Sequence, residues 1–506
     1  MSTPRATSVG SWAVAGLVAG VAGLVVSHAA SMVLTLRSTP VVAVGELVIE
    51  LVPGPVADRA IALVGQLDKP LLVLGVLLAT LGLLVYAGLL AARSWWLPLV
   101  VHVLLGGIGL LAVLTRADAT PLDVLPVIAG VVTWMVVLSF LTDPLHAAEQ
   151  AGAPHSRRAF LFRAAGVLVA GLAAGILGER FGRQRRDVDQ TRRLLKLPVT
   201  DPSVPAGVRT GVEGMAPWQT PNRDFYLIHT ALVSPTIAPQ EWQLRIHGMV
   251  RREITLTYQE LIDRQLTEDW ITLNCVSNPV GGSLIGNAWW SGVRLAPILA
   301  EAGLSDDADA VLQTSHDGWT CGTPLAALTD DRNAMLAIAM NGQPLPIDHG
   351  FPVRMIVPGL YGYVSATKWV VDLEVTRFAD IEAYWTGKGW AELGPVKIAS
   401  RIEVPGDGET VAAGQVRVGG TAWLQHTGIS GVEVALDGGA WQPAEIAEVP
   451  HVDTWVQWAT TLDLAAGDHE LRVRAIDREG RVQTGVERDV RPDGATGWHT
   501  VGFSAS

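Results

Sequence analysis

The sequence predicts a multidomain protein with a helical membrane domain at its N-terminus, an α+β domain in the middle and a β-sandwich at its C-terminus. The chain has 506 residues, of which 49% are hydrophobic and only 17% are charged. That balance is too apolar for a wholly soluble protein of this size. Of the 37 Lys/Arg and 49 Asp/Glu residues, positions 1–180 hold only 10 and 9. A nearly uncharged N-terminal third therefore precedes an acidic remainder.

Length and charge also exclude some classes of protein. A chain of 506 residues is expected to form two to four domains. The net charge of −12 argues against a nucleic-acid partner. Two cysteines cannot form a disulfide framework.

The first domain, residues 1–180, is predicted to span a membrane with about five helices. An apolar run of about 20 residues suffices to cross the hydrocarbon core. Between residues 41 and 66 the pattern is mixed, which favours an external loop with an interfacial helix. Four apolar runs are clear, and a fifth covers residues 164–177. The four are 12–36, 71–92, 97–115 and 124–141.

A possible export signal precedes the fifth run. Residues 156–161 read Ser-Arg-Arg-Ala-Phe-Leu, which resembles the twin-arginine signal that directs folded domains across the cytoplasmic membrane. Paired arginines are also common as simple positive flanks of membrane helices. With five crossings and an internal N-terminus, the chain after about residue 180 is predicted to lie on the extracytoplasmic side of the cell membrane.

Two histidines lie within the apolar runs. His28 and His102 could together bind a haem, because intramembrane ionisable side chains are often functional. The alternative is that each one hydrogen-bonds a neighbouring helix. The absence of a second histidine pair in the sequence favours the alternative, so haem is not the preferred cofactor.

Three further segments follow the membrane domain. Residues 181–206 are basic, polar and Pro-rich, which is typical of a linker. Residues 207–394 mix short β-branched runs with helical stretches, and this pattern predicts an α+β domain. Residues 395–506 contain short alternating runs separated by turn signals, which predict a β-sandwich of the immunoglobulin-like kind. Its predicted strands are 416–423, 432–436, 455–462, 471–476 and 482–490.

The densest chemical signal lies around Cys275. This cysteine ends an apolar strand and opens a polar, Gly-rich loop up to Gly282. Such a loop lets backbone N–H groups converge on a ligand, and a thiolate there suits a soft metal or a nucleophilic role. The alternative is a buried cysteine that acts as a small hydrophobic residue. The loop alone does not decide between them.

A second cluster favours the metal. Residues 340–354 read MNGQPLPIDHGFPVR, and residues 357–369 read VPGLYGYVSATKW. Together with the Cys275 loop, these motifs closely resemble the sulfite oxidase family of molybdopterin-dependent oxidoreductases. The resemblance runs from about residue 217 to the C-terminus, and its last part resembles the family's molybdenum-cofactor dimerisation domain. It implies a molybdenum–molybdopterin cofactor and a homodimer formed through the C-terminal domain.

The resemblance also implies roles for individual residues. Cys275 matches the cysteine that ligates molybdenum and is the expected catalytic residue. His349 and Arg354 match a pair that grips the pterin phosphate. The remaining matches are pterin contacts, a hydroxyl contact and a segment that closes over the cofactor. These are Asn222, Phe225, Tyr226, Ser315, Ser365, Ala366, Thr367 and Lys368.

Three positions depart from the pattern of authentic sulfite oxidases. Ile338 stands where the family has a tyrosine, Val364 lies where it has an arginine, and Ile228 replaces another expected arginine. An anionic sulfite pocket needs several cations. Neutral S-oxides or N-oxides are therefore the preferred substrates, although a true sulfite dehydrogenase stays an alternative.

Two classes of function follow from the sequence. The first is a membrane-anchored molybdopterin oxidoreductase that performs two-electron oxygen-atom transfer on a small molecule and exchanges electrons with a membrane carrier or redox partner. The second is a non-catalytic, membrane-anchored binding module on the same fold. Intact Cys275, His349 and Arg354 favour the enzyme. The lipid bilayer is a predicted partner in both cases, and nucleic acid is not.

Overall fold

The fold is that of a computed structural model, and it divides into two units. The structure describes residues 9–53, 56, 59–60, 64, 67–151, 155–181 and 184–506, and within these the side chains of 148–151, 155–157, 172, 174, 176–181 and 184–186 are not described. One unit contains Met1–Gln190 with the short segment Ala231–Thr236, and the other contains Thr191–Thr230 and Ile237–Ser506.

The first unit is helical. Among its described residues, four helices are long and apolar enough to cross a membrane: Val9–Val33, Asp68–Ala91, Leu97–Leu114 and Pro121–Ala147. These agree with the four clear apolar runs of the sequence. Its helices are α1 (Val9–Val33), α2 (Pro40–Leu51), α3 (Asp68–Ala91), α4 (Leu97–Leu114), α5 (Val124–Ala151), α6 (His155–Phe181) and α7 (Gln184–Leu194).

Small residues allow the membrane helices to pack closely. A Cβ added to Gly16 on α1 would lie 2.4 Å from the Leu84 carbonyl oxygen on α3, and one added to Gly88 would lie equally close to the Trp12 carbonyl oxygen. Helix α1 also packs against α5, where the Trp134 indole donates a 3.1 Å hydrogen bond to the Gly20 carbonyl oxygen. Close backbone approach of this kind is typical of helix pairs in membranes.

The structure treats the two membrane histidines differently. His102 is buried on α4, whereas His28 on α1 is exposed. The His102 ring lies 6.1 Å from the Trp134 ring. The Nδ1 atom of His102 is buried without a hydrogen-bond partner among the described residues. Haem binding and hydrogen bonding to a neighbouring helix both stay predictions.

Two predictions lie at the end of this unit. The fifth apolar run falls within α6, but several of its side chains, together with those of Ser156 and Arg157, lie outside the described residues. The export signal therefore stays a prediction. The segment predicted as a linker, residues 181–206, differs in detail because α7 occupies much of its first half. Asp187 in the first turn of α7 and Arg192 and Arg193 in the last turn complement the helix dipole.

The first part of the second unit has the predicted α+β composition. One sheet has the strand order β2-β1-β10-β5-β6, and the other has the order β3-β4-β7-β8 with β9 added to β7. Its strands are β1 (Gln243–Gly248), β2 (Ile254–Thr257), β3 (Leu266–Asn274), β4 (Ile285–Arg294), β5 (Ala310–Ser315), β6 (Thr320–Pro324), β7 (Met335–Met340), β8 (Gln343–Pro344), β9 (Arg354–Ile356) and β10 (Val370–Thr376), and its helices are α8 (Tyr258–Ile262), α9 (Leu295–Ala302) and α10 (Leu325–Thr329).

The C-terminal part is one sheet that curls into a half-barrel. Its eight strands follow the order β11-β13-β16-β15-β14-β17-β18-β12, and β11 lies against β17 and β18 across an apolar core. The predicted strand over 482–490 is wrong, since that stretch forms only isolated bridges. The strands are β11 (Ala399–Val404), β12 (Thr410–Val411), β13 (Gly414–Trp423), β14 (Ile429–Leu436), β15 (Gln442–Ile446), β16 (Val456–Leu464), β17 (Gly467–Asp477) and β18 (His499–Ala505).

Candidate active site

Cys275 lies at the start of a tight loop between two buried strands. Its strand β3 pairs antiparallel with β4, so that Asn274 faces Ile285. The Cys275 backbone N–H donates a 3.0 Å hydrogen bond to the Leu284 carbonyl oxygen, and the Leu284 N–H donates a 2.8 Å bond to the Asn278 side-chain oxygen. These bonds close the loop of residues 275–284.

The Cys275 thiol is buried, with only 8% of the residue exposed. Burial raises the pKa of the thiol, while hydrogen bonds from Ser277 and the charge of Lys368 act in the opposite direction. Burial is the largest of these effects. Without a bound cation, Cys275 therefore stays protonated at neutral pH, which is the state of an unreactive thiol.

Arg354 is a buried cation that lacks an acidic partner among the described residues. Its Nη1 donates to the His349 carbonyl oxygen at 3.1 Å and its Nη2 to the Ala366 carbonyl oxygen at 3.3 Å. The guanidinium carbon lies 5.2 Å from the centre of the Trp290 ring. Burial lowers the pKa of Arg354 to about 10. A buried guanidinium is costly without a counter-charge, so the site fits an anionic ligand.

His349 stands beside this cation with part of its ring unsatisfied. Its Nε2 lies 3.2 Å from the Asn222 carbonyl oxygen, but its Nδ1 is buried and has no hydrogen-bond partner in the described part of the chain. Burial, followed by the charges of Lys368 and Arg354, lowers the pKa of His349 to about 3. Such an orphaned ring nitrogen is rare in a core and points to a group that would complete it.

An aromatic wall adjoins His349. The Phe225 and Tyr226 rings stack with centres 5.2 Å apart, and the Phe225 ring meets the Trp290 and His349 rings edge-on. Burial of its hydroxyl, followed by the charge of Cys275, raises the pKa of Tyr226 above its usual range. Tyr226 therefore keeps its proton and can donate a hydrogen bond.

Asn222 holds the turn at the end of β7. Its side-chain oxygen accepts a 2.7 Å hydrogen bond from Asn341, and its side-chain nitrogen donates to the Met340 carbonyl oxygen at 3.1 Å. Asn341 has a positive φ of 53°, which asparagine tolerates better than most residues. Beside these residues lies an open cleft of about 430 Å³ that is lined also by Gln219, Arg223 and Gln343.

The predicted closing segment is mainly held by its own neighbours. The Ser365 hydroxyl donates a 2.9 Å bond to the Tyr361 carbonyl oxygen, and the Thr367 hydroxyl lies 3.2 Å from the Cys321 sulfur. Lys368 Nζ donates to the Ile228 carbonyl oxygen at 3.2 Å. At the end of β5, the Ser315 hydroxyl is buried without a hydrogen-bond partner in the described residues.

The predicted site residues thus form one linked group and three outlying positions. The contacts described above join six residues: Asn222, Phe225, Tyr226, His349, Arg354 and Ala366. Lys368 acts on Cys275 and His349 through its charge. In the described part of the chain, the hydroxyls of Ser315, Ser365 and Thr367 form no hydrogen bond with a member of that group. The sequence did not reveal Trp290 or Asn341. The Asn341-Gly342 pair was the available signal for the second, because it is typical of positive-φ turns.

The three departures from the sulfite oxidase pattern lie in different surroundings. Ile338 and Val364 are buried in the hydrophobic core, with 0% and 2% of each residue exposed. Ile228 is 48% exposed. The cationic or phenolic side chains that the family pattern has at these positions are therefore replaced by aliphatic packing at two of them.

Comparison with known proteins agrees with this description. Residues 231–385 match the oxidoreductase molybdopterin binding domain family. The chain is 30% identical over 334 residues to human mitochondrial sulfite oxidase, covering 56% of this chain and 61% of that protein. It is also 30% identical over 174 residues to the uncharacterized oxidoreductase YuiH of Bacillus subtilis (strain 168), covering 34% of this chain and 84% of that one.

A solved structure has the same fold. The sulfane dehydrogenase SoxCD from Paracoccus pantotrophus matches with a TM-score of 0.50 and 24% identity, covering 57% of this chain and 81% of that chain. The matched region thus spans about three fifths of the human sulfite oxidase and most of the bacterial relatives. The site's cysteine, its buried cation and these similarities lead to one conclusion: the chain belongs to the sulfite oxidase family of molybdopterin-dependent oxidoreductases.

Proposed function

We propose that this protein is a membrane-anchored molybdopterin oxidoreductase that transfers an oxygen atom to or from a small neutral substrate. The observation that carries the proposal is the buried Arg354 guanidinium, which has no carboxylate partner in the described chain and donates to the backbone carbonyl oxygen of His349. The ring nitrogen Nδ1 of that histidine is itself buried without a hydrogen-bond partner there. A phosphate satisfies both requirements, because it supplies negative charge and several acceptor oxygens.

The residues present fit a molybdopterin cofactor. Arg354, His349 and Lys368 would hold its phosphate, and the Ser315 hydroxyl would provide a further contact. Phe225, Tyr226 and the backbone of Asn222 would contact the pterin, with Ser365, Ala366 and Thr367 in the segment that covers it. Cys275 would ligate the metal. When bound, this cofactor supplies a two-electron redox couple that exchanges one oxygen atom with substrate.

The chain's own residues would prepare the site for that chemistry. Burial keeps Cys275 protonated in the absence of a metal, so metal binding would displace the thiol proton. Burial also keeps the Tyr226 hydroxyl protonated, which makes it a fixed donor beside the cysteine. The apolar side chains of Ile338 and Val364 exclude water and provide no charge for an oxyanion.

The substrate proposal rests on this lack of charge. Sulfite is an oxyanion and requires several cationic contacts. Ile228, Ile338 and Val364 provide none of them, so neutral S-oxides or N-oxides are preferred in the reductive direction. The relatives named sulfite oxidase make sulfite the competing substrate. Comparing the turnover of sulfite with that of neutral S-oxides and N-oxides separates these two proposals.

The four apolar helices support anchoring in a bilayer. We place the oxidoreductase unit on the extracytoplasmic side of the cell membrane, with a membrane electron carrier as redox partner and a homodimer formed through the C-terminal sheet. The twin-arginine-like stretch supports the export route, whereas the positive charges that flank the helices favour no single orientation.

Metal analysis combined with substrate screening tests the enzyme proposal. The full chain, purified in detergent from a host that makes molybdopterin, should contain about one molybdenum per chain. A reduced viologen should then be oxidised in the presence of a neutral S-oxide or N-oxide. Molybdenum-free protein from the same host would contradict the cofactor proposal, whereas loaded protein that turns over only sulfite would contradict the substrate proposal.

A further inference from the structure

The C-terminal sheet reaches into the loop that carries Cys275. Arg401 lies on β11, and its Nη1 donates a 2.8 Å hydrogen bond to the Gly282 carbonyl oxygen. Gly282 is near the end of the loop of residues 275–284. This loop is otherwise closed by hydrogen bonds between its own residues. Arg401 therefore provides an external anchor for the loop from a different part of the unit.

Glu403 fixes the orientation of Arg401. Its Oε1 accepts hydrogen bonds from the Arg401 guanidinium and a 3.0 Å bond from the Thr421 hydroxyl. Its Oε2 accepts a 2.8 Å bond from the Ala216 backbone N–H. The Arg401 and Glu403 side chains are only 11% and 9% exposed. A buried, well-bonded ion pair holds its geometry more firmly than a surface pair does.

The His499 ring packs against the same loop. Its Nδ1 accepts a 3.0 Å hydrogen bond from the Ile402 backbone N–H, which leaves the other side of the ring facing Gly281. A Cβ added to Gly281 would lie 2.1 Å from the His499 ring, and Gly281 has a positive φ of 73°. Glycine is required here for both reasons.

Thr272 lies on β3, the strand before the Cys275 loop, and is hydrogen-bonded to loops of the C-terminal sheet. Its N–H donates to the Asp453 carbonyl oxygen at 2.9 Å, and its carbonyl oxygen accepts a 3.0 Å bond from Gln425. Its hydroxyl accepts a 2.8 Å bond from the Trp455 N–H and donates to Asn287. Thr272 lies three residues before Cys275. Both sides of the cysteine are thus held by residues of the C-terminal part.

We propose that Arg401 is a positioning residue for Cys275, and that the C-terminal sheet holds the thiol-bearing loop in place in addition to any role in dimer formation. This inference rests on the proposed role of Cys275 as the metal ligand. A metal ligand must be held within a fraction of an ångström of its working position, and residues that support it contribute to this precision. Loss of the Gly282 contact frees the carboxyl-terminal end of the loop, and the backbone of Cys275 moves with it.

Thiol alkylation tests the loop directly. The full chain, purified in detergent from a host that lacks molybdopterin synthesis, is treated with iodoacetamide, and modification of the two cysteines is followed by mass spectrometry. Cys275 and Cys321 are both free and buried, with 8% and 1% exposure, so both should react slowly. Cys321 serves as an internal reference for opening of the whole unit.

The test variant is Arg401→Lys, which keeps the positive charge beside Glu403 but cannot contact both Glu403 and Gly282. We expect Cys275 to react about tenfold faster, because a hydrogen bond from a charged donor has been removed, while Cys321 is unchanged. Arg472→Lys is the matched control, since Arg472 pairs with Glu470 on the exposed side of β17. If Arg401→Lys does not fold, the double variant Arg401→Met/Glu403→Gln removes the pair without leaving a lone buried charge.

An unchanged Cys275 rate would overturn the proposal. A parallel increase at Cys321 would overturn it as well, because Arg401 would then support the whole unit rather than the loop. In cofactor-loaded protein, Arg401→Lys should also shift the electron paramagnetic resonance signal of the metal, whereas Arg472→Lys should not. If Cys275→Ser leaves that signal unchanged, the proposed function fails separately, and the alkylation result still decides the role of Arg401.

Discussion

The Arg354 guanidinium donates a 3.1 Å hydrogen bond to the backbone carbonyl oxygen of His349, and both side chains are buried. Two nitrogen-containing side chains that are five residues apart in the sequence are thus buried in the same region. Neither forms a salt bridge with a carboxylate among the described residues, and the charge of the adjacent Asp348 has only the last place among the effects on the pKa of His349. Burial lowers the pKa values of both groups. Burying these two groups costs desolvation free energy. A bound anion is the simplest way to offset that cost.

Arg354→Met should release the cofactor. A charge-assisted hydrogen bond to phosphate contributes about 1.5–3 kcal/mol, which corresponds to roughly 10- to 100-fold weaker retention. Molybdenum and pterin content are measured after identical purification of wild type and variant. Arg264→Met is the control, because Arg264 pairs with Glu301 at the edge of the domain. Full molybdopterin in the Arg354 variant would show that the phosphate lies elsewhere.

Cys275→Ser should abolish turnover but retain the fold and most of the pterin. The hydroxyl is a poor ligand for a soft metal, while the pterin is held by many other contacts. Activity, pterin content and thermal unfolding are measured together. Cys321→Ser is the matched control, since Cys321 is also buried but contacts Thr367 instead. Wild-type activity in the Cys275 variant would remove this residue from the mechanism.

The pH dependence of stability should carry the signature of His349. An unfolded imidazole titrates near pH 6.5, whereas burial lowers the pKa of folded His349 to about 3. Between these values the unfolded chain takes up a proton that the folded chain does not. Stability is therefore present above about pH 6.5 and is lost as the pH falls toward 3.

The measurement is thermal unfolding of the cofactor-free chain between pH 7 and 4, for wild type and His349→Gln. Because the pKa values of His426 and His451 are raised and oppose this trend, the difference between the two proteins is the quantity to follow. The wild type should lose more stability than the variant as the pH falls. Parallel curves would mean that His349 is already charged in the folded state.

The sequence predicted the residues whose signals are contiguous. Cys275, His349 and Arg354 lie in short segments with unusual composition. One sequence, without any relatives, is therefore enough to identify them as candidate site residues. Trp290 was not found because a buried tryptophan on β4 looks like any core residue. Arg401 and Glu403 were missed because their role depends on contacts more than 100 residues away in the chain. Residues 482–490 alternate as a strand does, but without a neighbouring strand to pair with they form only bridges.

Sulfite should be a poor substrate, and one added cation should improve it. Ile228 is exposed, so Ile228→Arg is expected to fold. A new cation near the site should raise kcat/KM for sulfite by about tenfold through better oxyanion binding. Leu227→Arg is the control, since its side chain is similarly exposed. Wild-type kinetics on sulfite that match those of dedicated sulfite oxidases would refute the substrate proposal.

The final prediction concerns the side of the membrane. A cofactor that is inserted inside the cell requires the domain to fold before it crosses, and the stretch Ser156 to Leu161 would supply the export route for a folded passenger. Replacing Arg157 and Arg158 by Lys preserves the positive charge and leaves the ordinary orientation rule satisfied. Export should nevertheless fail, because the receptor recognises the arginine pair rather than charge alone.

Protease added to spheroplasts measures the outcome. The oxidoreductase unit of the wild type should be digested, whereas that of the Lys-Lys variant should be protected. Arg163→Lys serves as the matched control, because this arginine follows the pair and contacts Asp143. A protected wild-type unit would place the domain in the cytoplasm and reverse the proposed topology. Equal digestion of wild type and the Lys-Lys variant would keep the domain outside but require an export route that does not depend on the arginine pair.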